Sequence, residues 1–576
     1  MSRLFSNWRL SPSRTYALLD TNQPHASPDR FSLDPLSDDY LDLNSEKSNS
    51  PWFYRWQKLT STSGLISLLI LFISTILKSL RYLLPSYIIS LYHRYSRHKP
   101  HQPPDRPLSK TAYLDGLRGV AALIVYIFHF SYLWFPFLRN GYGTSPTDNL
   151  LLQLPIIRIL HSGRSSVTIF FVISGFVLTL RTLTAIHKGQ GDKVLDGLAG
   201  SLFRRPFRLY LPILVSTGIA AVLIRWNNVY IPDLNGGDIP PHPATWQEQV
   251  QNWFEVTERM VSPFYGVTGR QNLWGNSYNG HLWTIPVEFK GSLEVFLLLL
   301  AFARSKRWIH VVGVVVAAYW QMVKGDFDQT LFCTGLLLSE LSLVLPGSSG
   351  WLVQRVSGRA RHVVTMVVFV FSVHLMSYPE RKGPTSPGFR TLSTIVPTFY
   401  QNNEDRIQQF WISVGAILFI LALMYSPSVS GPWRRWLTTS VDVGREESTT
   451  EIGDDEPLLQ KLFTNGFAQY LGQISYSLYL WHGAVNHIVG LRLLHPALAM
   501  WKAAEAGAAG LVDGGFGNEA TTVRASGWNE YMWKWAWTFV LNTFVLFWVS
   551  DLFHRGVDVY AVRLTRSLST WTMASK

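Results

Sequence analysis

The stretch Tyr113–Phe130, YLDGLRGVAALIVYIFHF, decides the fold. It opens with the polar look of a cytosolic loop and runs into an apolar segment fit to cross a bilayer. Arg118 stands at its start and His129 lies deep inside it. Ionisable side chains are rare within bilayers, at roughly 2.5–3.5 kcal/mol for arginine at a helix centre on insertion scales, and usually mark function. The two residues are eleven positions apart. On an α-helix that is three turns, about 16 Å along the axis, and nearly one face. One face thus offers a cation at a membrane rim and an imidazole past the middle.

The rest of the chain agrees with a membrane setting. It is 47% hydrophobic and 15% charged, against about 25% charged in soluble domains. Its 23 Trp and 24 Tyr gather near the ends of apolar runs, as interfacial belts require. The net charge of +13 falls between apolar runs, which is a positive-inside pattern and not a nucleic-acid surface. The single cysteine, Cys333, excludes an internal disulfide framework and a cysteine-based zinc site; no metal site is expected.

Residues 1–60 lack apolar periodicity and read as a disordered cytosolic tail. Within 61–110, the apolar run at 64–77 is short for a span and reads as interfacial, with an extra span as the alternative. A basic, proline-rich linker follows. A transmembrane domain then occupies 111–560, with a cytosolic insertion at 427–465. Its expected spans are 115–137, 161–183, 206–225, 281–303, 308–323, 328–345, 362–379, 409–426, 466–490 and 532–553. The fold class is therefore all-α, a polytopic membrane helix bundle of about ten transmembrane helices. Loops holding Arg204 and Arg205, Arg304 to Arg307, Arg355 to Arg361, Arg434 and Arg435 would be cytosolic. Those holding Asp233, Asp238, Glu248, Glu255 and Glu258 would lie opposite. Both termini are then cytosolic, in an endomembrane or the plasma membrane.

Two further segments aim polar groups at the depth of His129. NGHLWTIPVEF (279–289) brings His281 near the surface and Glu288 two turns in. LGQISYSLYLWHGAVNH (471–487) carries Tyr479 and His482, three residues apart and on nearby faces. His129, Glu288 and His482 would converge in the non-cytosolic half. FRRPFRLYLP (203–212) opens the third span with Arg204, Arg205 and Arg208. Anchoring is the plain reading of these arginines. The sharper one is a phosphate clamp, because a guanidinium grips phosphate with two parallel bonds. FFVISGFVLTL (170–180) holds Ser174 and Gly175 mid-span, where helix packing is the default.

Taken together these motifs, in this order over 111–555, resemble the acyltransferase-3 family of integral-membrane acyltransferases. Arg118 and His129 match its signature of a basic residue, ten intervening residues and a histidine. Arg205 and Arg208 match its Arg-X-X-Arg. TIPVEF is a loose version of its Trp-centred acidic motif, and the segment before 111 is an addition. The resemblance implies an acyl-CoA co-substrate, acetyl-CoA foremost, with no permanently bound cofactor. It implies an acceptor hydroxyl on a small lipophilic metabolite or a glycan. On that reading Arg118, Arg205 and Arg208 hold the donor. His129 is general base or acyl carrier, Glu288 or His482 orients it, and Tyr479 donates to the oxyanion. A proton-coupled transporter is the alternative for a bundle with buried His and Glu. The arginine rim aligned with His129 separates the two, since a transporter has no need of a phosphate clamp there.

Overall fold

The computed structural model describes residues 108–146, 148–226, 230–231, 241–261, 276–345, 358–428, 457–513 and 517–572, with a short helical stretch between 82 and 89. The readings for the tail at 1–60, the apolar run at 64–77 and most of the insertion at 427–465 lie outside the described residues. The two ends of that insertion do meet. Leu458 N–H donates to the Pro427 carbonyl at 3.1 Å.

The described residues are all-α, as expected, with only isolated β-bridges besides. The helices are α1 (Ala112–Trp134), α2 (Gly163–His187), α3 (Gly191–Arg225), α4 (Trp246–Val261), α5 (Thr284–Phe302), α6 (Arg307–Lys324) and α7 (Phe327–Val344). There follow α8 (Gly358–Met376), α9 (Glu404–Met424), α10 (Gly466–Val485), α11 (Leu491–Asp513), α12 (Gly517–Phe553) and α13 (Val559–Thr572). A helix covers each of the ten spans expected between 111 and 560. Among the described residues five helices are long and apolar enough to cross a membrane, α1, α2, α3, α9 and the continuous 527–572 stretch of α12 and α13, against the ten expected from the sequence.

The core is apolar and shared among α1, α2, α5, α7 and α9, through Leu114, Phe171, Leu299, Phe332, Leu336 and Ile420. The outside is apolar too. Val312, Val316, Tyr319 and Trp320 of α6, Val363, Val367 and Phe371 of α8, and Val540 and Phe544 of α12 are exposed. Such a surface suits hydrocarbon and is a liability in water.

Close backbone approach sets the helix spacing. A Cβ at Gly119 would stand 2.2 Å from the Gly472 nitrogen, so α1 and α10 touch backbone to backbone. A Cβ at Gly335 of α7 would stand 2.3 Å from the Val172 carbonyl of α2. Small residues at helix contacts allow this.

Two stretches differ from the sequence expectation. α3 begins at Gly191, not near 206, and runs through Pro206 and Pro212. Val194 and Leu198 of its early turns are buried, and that packing extends the helix beyond the apolar window. Second, 491–531 is not a connecting loop: α11 packs along α12. Trp501 stacks on Tyr531 with ring centroids 5.1 Å apart. Arg492, Lys502, Glu505 and Asp513 interrupt the apolar residues of α11, so no span-length run stands out.

Opposite the end that bears Arg118, the segments 135–162 and 377–403 close over the bundle. Arg158, 1% exposed, donates to the Asn140 carbonyl at 3.0 Å and the Arg139 carbonyl at 3.3 Å. Asp148 accepts from Asn140, Thr144, Ser145 and Lys382 at 2.7–3.1 Å.

Candidate active site

α1 presents Arg118 and His129 as the spacing requires. Arg118 is not a loose rim cation. It pairs with Asp115 at 3.2 Å and donates to Ser475 Oγ at 3.2 Å and to the Gly472 carbonyl at 3.5 Å, both on α10. It thereby ties together the two helices that carry His129 and His482.

At the other end of these helices three imidazoles meet. The ring centroids of His129 and His482 are 5.0 Å apart. Those of His129 and His281 are 6.0 Å apart, and those of His281 and His482 are 3.9 Å apart. His281 and His482 are buried. His129, by contrast, is exposed.

Sequence reasoning left His281 near the surface and gave it no role. It rides on a 3-10 turn, Gly280–Trp283, just ahead of α5. Asn279 pins that turn by donating to the Leu480 carbonyl at 2.8 Å. Opposite sits Gly483, where a Cβ would come within 2.8 Å of the His281 ring. The signal in the sequence was the glycine directly after His482: only its missing side chain lets a second imidazole in.

The hydrogen bonds assign protons. His482 Nδ1 is 2.7 Å from the Tyr479 carbonyl. A carbonyl only accepts, so the neutral ring carries its proton on Nδ1 and a lone pair on Nε2. That Nε2, and Nε2 of His281, are buried with no protein partner among the described residues. Buried polar atoms without partners are uncommon, and two in rings 3.9 Å apart mark a place for a polar guest. Tyr479 Oη donates its single proton to the His281 carbonyl and accepts from Thr284 Oγ1 at 2.6 Å. Its proton is engaged in holding the His281 turn, and is not turned toward His129.

Glu288 meets none of the imidazoles through a hydrogen bond or ion pair among the described residues. It accepts from Arg205 Nη2 at 2.6 Å and from Ser174 Oγ at 3.2 Å. Arg205 also donates Nε to Ser292 Oγ at 2.9 Å. Charge attraction within the bundle is stronger than in water, so the carboxylate takes the nearest guanidinium. Arg208 is half-buried one turn on. The sequence-derived residues therefore split into two groups: His129, His482 and Tyr479 with His281, and Arg205 with Glu288. Among the described residues no three His, Cys, Asp or Glu side chains are set to hold a metal ion.

A helical bundle with an apolar outside and a cluster of three imidazoles, two of them buried, suits chemistry within or beside a membrane. The chain belongs to the acyltransferase-3 family, whose acyltransferase domain matches residues 111–555, and the protein is an acyltransferase. An O-acetyltransferase of Phomopsis amygdali is 29% identical over 418 residues, covering 67% of this chain and 75% of its own. An acyltransferase of Phoma sp. is 26% identical, with 66% and 84% covered. An acyltransferase of Cochliobolus lunatus is 24% identical, with 67% and 84% covered. No solved structure matches the chain. Family and relatives together support O-acyl transfer.

Proposed function

We propose that the protein moves an acetyl group from acetyl-CoA to a hydroxyl of a small lipophilic metabolite or a glycan, at the histidine cluster, across or within a bilayer. The observation that carries this reading is the meeting of His129, His281 and His482 at one end of two helices whose other end holds Arg118. The donor's phosphates bind at the arginine end through Arg118, Arg205 and Arg208, and the pantetheine arm extends toward His129. His129 takes the proton of the acceptor hydroxyl. The acceptor oxygen attacks the thioester carbonyl, and the tetrahedral adduct collapses to an ester and CoA thiolate, which is protonated to the thiol. The lone pair on His482 Nε2 orients or receives that proton. Tyr479 holds His281 in place, and Glu288 aims Arg205 rather than an imidazole. Both termini are cytosolic, and the membrane is an endomembrane or the plasma membrane.

The test uses isolated membranes with radiolabelled acetyl-CoA. Label must appear in an extractable ester in wild type and fall to background in His129→Ala expressed at the same level. Acid-quenched protein that carries label on His129 would indicate transfer in two steps. Wild-type product from the His129→Ala protein would overturn the mechanism.

A further inference from the structure

Arg204 and Arg205 are adjacent but face opposite ways. Arg205 turns into the bundle, to Glu288 and Ser292. Arg204 turns out to α13, where its Nη1 reaches Ser569 Oγ at 3.4 Å. Its guanidinium folds back over Gly200, where a Cβ would stand 2.9 Å from Nη1. α13 packs on α3 and brings Arg566, one turn before Ser569. Arg181 comes from the end of α2. α2, which carries Arg181, packs on α3 as well. None of the three is paired with a carboxylate among the described residues, and Arg181 and Arg566 are exposed. Like charges on neighbouring helices repel one another unless an anion joins them.

We propose that Arg181, Arg204 and Arg566 form a binding site for a phosphate monoester, and that its ligand is the 3′-phosphate of the CoA donor. The assignment rests on the reading of acyl-CoA as donor. Its geometry follows from the opposed arginines. The thioester must enter the bundle on the Arg205 side, so the 3′-phosphoadenosine, the end of CoA farthest from the thioester, stays outside with Arg204. A phosphate monoester carries about −1.5 to −2 at neutral pH and accepts paired N–H bonds from guanidinium groups. Arg566 lies beyond residue 555, where the family match ends, so α13 adds this subsite to the shared domain.

The same phosphate chemistry could come from a lipid headgroup, and the experiment separates the sources. The full chain, in nanodiscs of neutral phosphatidylcholine, is titrated calorimetrically with CoA and with dephospho-CoA, which lacks only the 3′-phosphate. No acceptor is needed. Wild type is expected to bind CoA roughly tenfold tighter than dephospho-CoA. Arg204→Gln and Arg566→Gln should each shrink that ratio toward one by weakening CoA alone. Equal binding of both probes by wild type, or an unchanged ratio in both variants, overturns the subsite and leaves the donor reading standing. Loss of co-purifying anionic phospholipid in the variants, with CoA binding untouched, assigns the cluster to a headgroup and overturns it as well. Failure of wild type to bind either probe defeats the donor reading and the subsite with it.

Discussion

His482 donates its Nδ1 proton to the Tyr479 carbonyl, three residues back on the same helix, at 2.7 Å. The orientation of this imidazole is thus set by main chain, and its Nε2 lone pair looks into the site whatever the neighbouring side chains do. His129 makes no such bond among the described residues and is exposed. One imidazole is fixed and the other is free to meet substrate.

Replacing His129 by Ala is expected to lower acyl transfer by at least a hundredfold, the scale of general acid–base catalysis. His482→Ala should lose a comparable factor. The double variant should be little worse than either, because residues acting as a unit are not additive. Product formation in membranes, at matched expression and thermal stability, measures this. Independent, multiplying losses would show that the two imidazoles serve separate steps.

Tyr479→Phe deletes the proton that holds the His281 turn. The expected result is a stability loss of about 1 kcal/mol and a fall in turnover larger than any change in donor KM. Thr284→Val leaves the bond to the His281 carbonyl in place and should do less. If the Phe variant turns over normally, the His281 turn does not depend on that hydroxyl.

The Arg205–Glu288 pair has side-chain exposures of 13% and 22%. Removing one partner strands the other. Arg205→Met and Glu288→Leu should each destabilise the protein by about 2 kcal/mol, and the double variant by less than their sum. Thermal unfolding in one detergent, as a double-mutant cycle, gives the coupling. A coupling near zero would mean that the two charges are solvated independently.

How far the site is legible in the sequence depends on the range of the contact. Arg118 and His129 can be read together because eleven residues bring an α-helix back to one face, and α1 runs unbroken through both. Tyr479 and His482 share a helix in the same way. The fold class is legible because apolar periodicity is dense. Partnership across helices is not. Glu288 has cations and imidazoles at similar depth on several helices, and only the packing of α3 against α5 selects Arg205. His281 enters through the missing side chain of Gly483, two hundred and two positions away in the chain, and no local pattern announces that. α11 goes unread because charged residues interrupt its apolar ones and leave no span-length run.

Arg208→Lys should raise the KM for acetyl-CoA and leave that for acceptor unchanged, since an ammonium binds phosphate as a point charge without the paired bonds of a guanidinium. Initial rates with either substrate varied measure the split. A change confined to acceptor KM would remove Arg208 from the donor end.

Acid should loosen the face opposite the arginines. Burial pushes the Asp148 carboxyl up, but hydrogen bonds from Ser145, Asn140, Thr144 and Lys382 outweigh it and hold the group well below the usual carboxylate range. A depressed pKa contributes stability that is present above the unfolded value, about 3.9, and is lost as pH falls below it. Wild type should therefore lose melting temperature more steeply than Asp148→Asn between about pH 5 and pH 3, while lying above it at neutral pH. Parallel curves would show that the carboxyl is not depressed.

The backbone contact of Gly119 with Gly472 bears on how such a site diversifies. It lies on the two helices that carry His129 and His482, so the separation of those imidazoles is inherited from two main chains and owes little to the side chains around them. Residues around His129 are therefore free to be exchanged, one acceptor shape for another, without retuning the reacting groups. The same contact makes the two glycines hard to replace by any residue with a side chain. A methyl group at Gly119 would wedge the helices apart at the arginine end and swing the histidines out of register at the other, so the protein would lose its chemistry through a lever and not through a missing catalyst.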